Sequence, residues 1–213
     1  LADYCTITAD PDGEGDATYP EPRKVHIAYE SVFGNAAPDY LQSEVLLEIG
    51  ARSLFEPTAK AKIKSLVSEN STIDTTFADV DIISAVPEKT FLEKVFLLHE
   101  LFTTDGCRTA NRKSRHLYDL MKMMDEPFAR DAVHDDELWN TIHHHREVFT
   151  SIKDVDYTPD IRKRIVLLPP EEVLKVWQED YKAMQESMIY GEQVTFEQLL
   201  SKIQELQARF RSI

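Results

Sequence analysis

Only two cysteines, Cys5 and Cys107, occur in 213 residues. They cannot build a disulfide framework, and a reducing, cytoplasmic setting is the simplest reading. Positive charge is in short supply as well. Against 38 Asp and Glu stand 24 Lys and Arg, for a formal net charge of −14. Such a chain repels nucleic acid on average, so any contact with it needs a local basic patch. No apolar run approaches the roughly 20 residues of a membrane-spanning helix. No signal peptide, internal repeat or low-complexity segment is visible. Aliphatic and aromatic side chains, by contrast, are plentiful enough for a real core. The length suits one large domain or two small ones.

Patterning changes near residue 88. Residues 1–87 read as β-rich, because "DYCTITAD" and "RKVHIAYESVF" alternate apolar and polar at the strand period. The turn-rich "PDGEGDATYPEP" between them predicts a hairpin. "SEVLLEIGARS" reads as a third strand, residues 58–70 as a short helix, and "FADVDIISAV" as a fourth strand. Residues 88–213 read as helical. "TFLE" (Thr90 to Glu93) and "TFEQ" (Thr195 to Gln198) match capping boxes. Apolar stripes follow them: Phe91, Val95, Leu98 and Phe102, then Leu117, Leu120, Met121 and Met124, then Leu199, Ile203, Leu206 and Phe210. Leu138, Ile142 and Phe149 mark a less regular helix. "PPEEVLKVWQEDYKAMQESMIYG" opens on Pro and closes on Gly191, the asymmetry helices favour. The expected class is α+β, a partial mixed sheet followed by a C-terminal helical bundle.

The scarce positive charge is not spread evenly. Arg112, Lys113, Arg115 and His116 crowd into five positions at the head of the helix "RKSRHLYDLMKMM". Cations at a helix start oppose the macrodipole. With free backbone N–H groups beside them, they make an anion or phosphate site; a solvated face is the plainer reading. Arg115 and Asp119 are i,i+4 neighbours in the weaker orientation for an ion pair. Lys94 lies away from the polar sector of its own helix, among Leu97, Leu98 and Leu101. It either snorkels outward or points into a site that supplies an anion. Glu48 in "LLEIG" has apolar neighbours, and an exposed face shared with Glu44 is the alternative. "DPDGEGDATYPE" mimics a calcium loop, with Asp10, Asp12, Glu14, Asp16 and Glu21 at ligand positions, but its flanks read as strands and not helices. His143 to His145 point about 100° apart on a helix and suit a single ion poorly. Asp79 and Asp81 share a strand face that suits Mg²⁺ or a plain edge strand.

In this order, "PEKTFLEK", "RKSRHLYDL", "LLPPEEVLKVWQEDYKAM", "MIYGE" and "TFEQLL" resemble the AbiEii/AbiGii toxin-type nucleotidyltransferase family of bacterial abortive-infection and toxin–antitoxin systems. The resemblance extends through "VLLEIGARS". It implies a nucleotidyltransferase core, taken here as residues 1–87, and a helical domain, 88–213, that completes the nucleotide site. It implies transfer of a nucleotide from a nucleoside triphosphate to an RNA or protein acceptor, with Mg²⁺ held by carboxylates. An antitoxin protein is a further implied partner. Glu48 matches the third metal carboxylate of the family. Lys94 matches a helical lysine that faces the triphosphate. The later motif Arg-x-Lys-Asp-x-x-Asp reads here Lys113-Ser-Arg115-His116-Leu-Tyr-Asp119. Lys113 and Arg115 keep the charges and Asp119 keeps the last carboxylate, while His116 replaces the first Asp. The expected catalytic set is therefore Glu48, Lys94, Arg115 and Asp119, with Lys94, Lys113 and Arg115 on the nucleotide. Residues 1–47 contain no match to the family's Gly-Ser turn and Asp-x-Asp pair, and the chain opens on Leu1. The expectation is that this motif lies upstream or has been lost, and that the 213 residues alone are inactive. A degenerate, partner-binding member is the alternative.

Overall fold

The computed structural model describes residues 5–9, 23–31, 42–50, 54–65, 68–69, 79–158 and 160–213. Its strands are β1 (Cys5–Ala9), β2 (Arg23–Tyr29), β3 (Glu44–Ile49), β4 (Thr58–Ile63) and β5 (Val80–Ala85). Its helices are α1 (Pro87–Phe102), α2 (Ser114–Met123), α3 (Pro127–His134), α4 (Asp136–His145), α5 (Leu174–Met188) and α6 (Phe196–Arg211). The protein is α+β, as the patterning implies. Among the described residues no helix is long and apolar enough to cross a membrane.

The chain falls into two compact units. The first comprises Leu1–Ser53, Cys107–Arg115 and Pro169–Leu199. Its sheet has the order β1-β2-β3, antiparallel throughout, with Ile7 opposite Ile27 and Lys24 opposite Glu48. The β1–β2 pairing is the expected one. The calcium-like stretch from Asp10 to Glu21 lies outside the described residues. In the helical part of this unit Trp177, Tyr181 and Met184 of α5 are buried. Gly191 follows α5 with φ of +94°, a conformation that glycine adopts at little cost. Thr195 and Gln198 form the expected capping box: Gln198 N donates to Thr195 Oγ1 at 3.2 Å, and Thr195 N donates to Gln198 Oε1 at 2.9 Å.

The second unit comprises Leu54–Gly106, His116–Leu168 and Leu200–Ile213. Residues 58–63 are a strand here, not the expected helix. "TAKAKI" is made of residues that favour helices, but its strict alternation lets β4 pair antiparallel with β5. Pairing overrides propensity. Lys60 and Lys62 lie 2.8 and 3.8 Å from Asp81, and Lys62 and Lys64 lie 3.9 Å from Asp79. The two carboxylates thus face lysines. The start of α1 also differs from expectation. Pro87 opens the helix, so Thr90 sits inside it and bonds back to the Val86 carbonyl rather than capping. Phe91, Val95, Leu98 and Phe102 are buried as the stripe requires. Phe96, Trp139 and Phe210 form the aromatic centre, with centroids 4.4 Å apart for Phe96–Trp139 and 5.5 Å for Trp139–Phe210. Phe149 does not join this core. It lies on a π-helical turn, Arg146–Thr150, and is exposed.

Two polar side chains are sealed into the same unit. Glu100 is 2% exposed. It accepts two N–H bonds from Arg146 and one hydroxyl bond from Tyr157 at 2.8 Å. His99 is also buried, and its Nδ1 accepts the Val166 amide at 3.0 Å. That bond requires a bare Nδ1, so the ring is the neutral tautomer with its proton on Nε2. Burial pushes the His99 pKa down from 6.5 to about 4, against the opposing pull of Glu100 and Asp156; Arg164 and Arg211 push in the same direction as burial. The unfolded chain takes up this proton near pH 6.5, whereas the folded one resists until about 4. Stability from this group is therefore complete above pH 6.5 and is lost as the pH falls towards 4. The loss is about 3 kcal/mol at most. Chemical denaturation across this range will show the decline. His99→Gln keeps an acceptor for Val166 and will flatten it.

Candidate functional site

Two of the expected site residues meet within the second unit. Lys94 on α1 donates from Nζ to Asp119 Oδ2 on α2 at 2.9 Å. His116, one turn before Asp119, brings Nδ1 to 3.5 Å from the same nitrogen. The amphipathic α2 explains the placement. Leu117 and Leu120 are fully buried, as is Met124 just past the helix end, so His116 and Asp119 ride at the boundary of the buried stripe. Lys94 neither snorkels away nor lies sealed in the core. Its side chain is 23% exposed and that of Asp119 is 41% exposed. The site is a partly screened ion pair that solvent and solutes can reach.

The other expected residues belong to the first unit. Glu48 projects from β3 with its carboxylate 3.9 Å from Lys24 Nζ, on the face that also carries the Glu44–His26 pair. This face is a polar ladder, the plainer of its two readings. Lys113 is half-buried and Arg115 exposed at the start of α2, on either side of the buried Ser114. The backbone amides there are not all open to a ligand. Asp180 of α5 accepts from Arg112 N at 2.6 Å, from Ser114 N at 3.0 Å and from the Ser114 hydroxyl. An internal carboxylate thus takes part of the anion site that the helix start seems to offer from sequence alone. An anion at this cluster would be held mainly by the side chains of Lys113 and Arg115. Asp180, a half-buried carboxylate on the flank of the Trp177–Tyr181–Met184 stripe, is missed from the sequence alone; its place one turn after Trp177 is the one local signal that could have marked it.

Mg²⁺ takes oxygen ligands in a near-octahedral array. Glu48, one half-exposed carboxylate beside a lysine, does not make such a site by itself. Among the described residues no group of three or more His, Cys, Asp or Glu side chains is placed to hold a metal ion. The three histidines of the 143–145 run have three different partners. His143 bonds the Tyr157 carbonyl, His144 lies near Glu147, and His145 stacks on Phe149.

The motif order, with Lys94 now seen beside Asp119, agrees with a match along nearly the whole chain. Residues 2–202 match the family model described as nucleotidyl transferase AbiEii toxin, type IV TA system. The chain belongs to the AbiEii family. No curated protein and no solved structure matches it. AbiEii membership makes the chain kin to toxin nucleotidyltransferases of a toxin–antitoxin system, and the Lys94–Asp119 pair joins two of the motifs in this AbiEii chain.

Ion pairs exposed to this degree contribute about 0.2–1 kcal/mol. Lys94→Ala and Asp119→Asn should therefore melt within about 4 °C of the parent. Calorimetry on both variants checks this, and it qualifies them for functional assays.

Proposed function

We propose that this chain contributes the triphosphate-gripping residues of a toxin nucleotidyltransferase. The substrate is a nucleoside triphosphate with Mg²⁺ as its companion ion, the acceptor is an RNA or a protein, and an antitoxin protein is the partner. The observation that carries the reading is Lys94, fixed on a rigid helix with Asp119 at 2.9 Å. An ammonium has three protons. Asp119 takes one and His116 is near a second, which leaves at least one for a phosphate oxygen. Asp119 thus orients the cation, and in this reading its carboxylate also takes or steers the proton of the acceptor hydroxyl. The family motif assigns Lys113 and Arg115 to the nucleotide as well, and an arginine fork suits phosphate. In the transfer, the acceptor oxygen bonds to the α-phosphorus. The bond to the bridging oxygen breaks, pyrophosphate leaves, and the hydroxyl proton passes to a base. Such reactions depend on positioning and on neutralising charge as it moves.

Glu48 is the one metal carboxylate that the motif match finds in these residues. A second reading, a degenerate member that binds a protein partner, draws on two observations: His116 stands where the motif has Asp, and Glu48 pairs with Lys24.

Isothermal titration of ATP and GTP with Mg²⁺ separates the two readings. The first expects binding, weakened at least tenfold by Lys94→Ala in a protein that still melts normally. Absence of heat with either nucleotide, or equal affinity in Lys94→Ala, would favour the second.

A further inference from the structure

The segment "VWQEDYKAM" carries part of the family likeness, and so far its Asp180 figures only as a carboxylate that occupies backbone amides. The first unit supplies one. Trp177 and Asp180 lie about one turn apart on α5, and both reach the 107–115 segment. Trp177 Nε1 donates to the Cys107 carbonyl at 2.9 Å in a buried bond. Asp180 accepts the Arg112 amide, the Ser114 amide and the Ser114 hydroxyl. The chain between these anchors is unusual. Asn111 and Arg112 have φ of +32° and +63°, in the left-handed region that side-chain-bearing residues seldom adopt. Two such residues in succession persist only where the surroundings over-determine them. Ser114 is fully buried, and Lys113 and Arg115 flank it.

We propose that Asp180 is a positioning residue for the basic cluster, and that the role of the α5 motif is to hold this cluster in shape. The carboxylate sinks Ser114 and pins the left-handed turn. Lys113 and Arg115, on either side of the sunk residue, are thereby set at a fixed spacing. By filling the Arg112 and Ser114 amides, Asp180 also keeps an incoming phosphate off that stretch of backbone and directs it to the two side chains. The charge of the carboxylate matters as much as its shape, because N–H bonds to an ionised acceptor are the stronger ones. This inference rests on the reading of Lys113 and Arg115 as phosphate contacts.

The test combines amide exchange with nucleotide titration. Asp180→Asn keeps the side-chain volume and removes the charge. It should speed hydrogen exchange at the Arg112 and Ser114 amides at least tenfold and raise the Kd for Mg·ATP at least fivefold. The Lys113→Ala/Arg115→Ala double variant should also raise the Kd, and adding Asp180→Asn to it should raise the Kd no further, because residues that act through one another are not additive. Ser114→Ala removes a single bond and should shift both readouts in the same direction by less, which keeps the test sound if Asp180→Asn folds poorly. Equal weakening by Asp180→Asn with and without the two cations would show a general structural role and overturn the proposal. So would an unchanged Kd in Asp180→Asn alongside a raised one in the double variant. A double variant with unchanged Kd would instead sink the phosphate reading of the cluster, and the proposal with it.

Discussion

Glu100 cannot be buried alone. A carboxylate at 2% exposure loses its hydration, and removing one partner of such a buried pair typically costs about 3–5 kcal/mol. Arg146 answers with a forked pair of N–H bonds and Tyr157 with its hydroxyl. Those partners come from the turn after α4 and from the loop beyond it. Satisfying one charge on α1 thus fixes the path of a long irregular stretch. The π-helical turn at 146–150 and the left-handed Ser151 fall where the chain bends to bring both groups inward. His99 adds a second tie, to Val166.

The same helix separates structural polarity from accessible polarity. Lys89 is buried and spends its charge on the Leu54 carbonyl and on nearby Glu93. Glu100 and His99 are closed off in the same way. Lys94 alone among these α1 residues keeps its charge beside a partner that is two-fifths exposed. A ligand anion can compete for Lys94 without unmaking the core. That difference, more than any motif, makes Lys94 the residue to watch.

Legibility in the sequence followed the range of the interaction. Apolar stripes and the Thr195–Gln198 box are written within a turn or two of chain, and they appear where expected. The start of α1 was misplaced because "TFLE" satisfies a local rule while Pro87, three residues earlier, satisfies a stronger one. Residues 58–63 differ from expectation because helix propensity is local and strand pairing is not: their partner is some twenty residues away. The candidate site divides in the same way. Lys94 and Arg115 are legible as charges out of place on their helices, and Asp119 only through the motif it shares with the family. Asp180 is not, because a carboxylate at the edge of a buried stripe is ordinary until the amides 66 and 68 residues before it arrive.

The β4–β5 hairpin carries a different kind of information. Ile63, Val80, Ile82 and Ile83 are all exposed on a sheet that has two strands among the described residues, and an unpaired strand edge invites other chains to pair. Lysines at 60, 62 and 64 alternate with small or apolar residues and face Asp79 and Asp81. A slip of one residue would set Lys62 against Val80 or Ile82 and strand its charge. The ladder therefore acts as a gatekeeper. It discourages wrong partners as much as it secures the right one, and it weakens as salt shortens the reach of charge from about 10 Å at 0.1 M to about 3 Å at 1 M. Concentrated salt thus loosens the hold of this ladder on the register of β4 against β5.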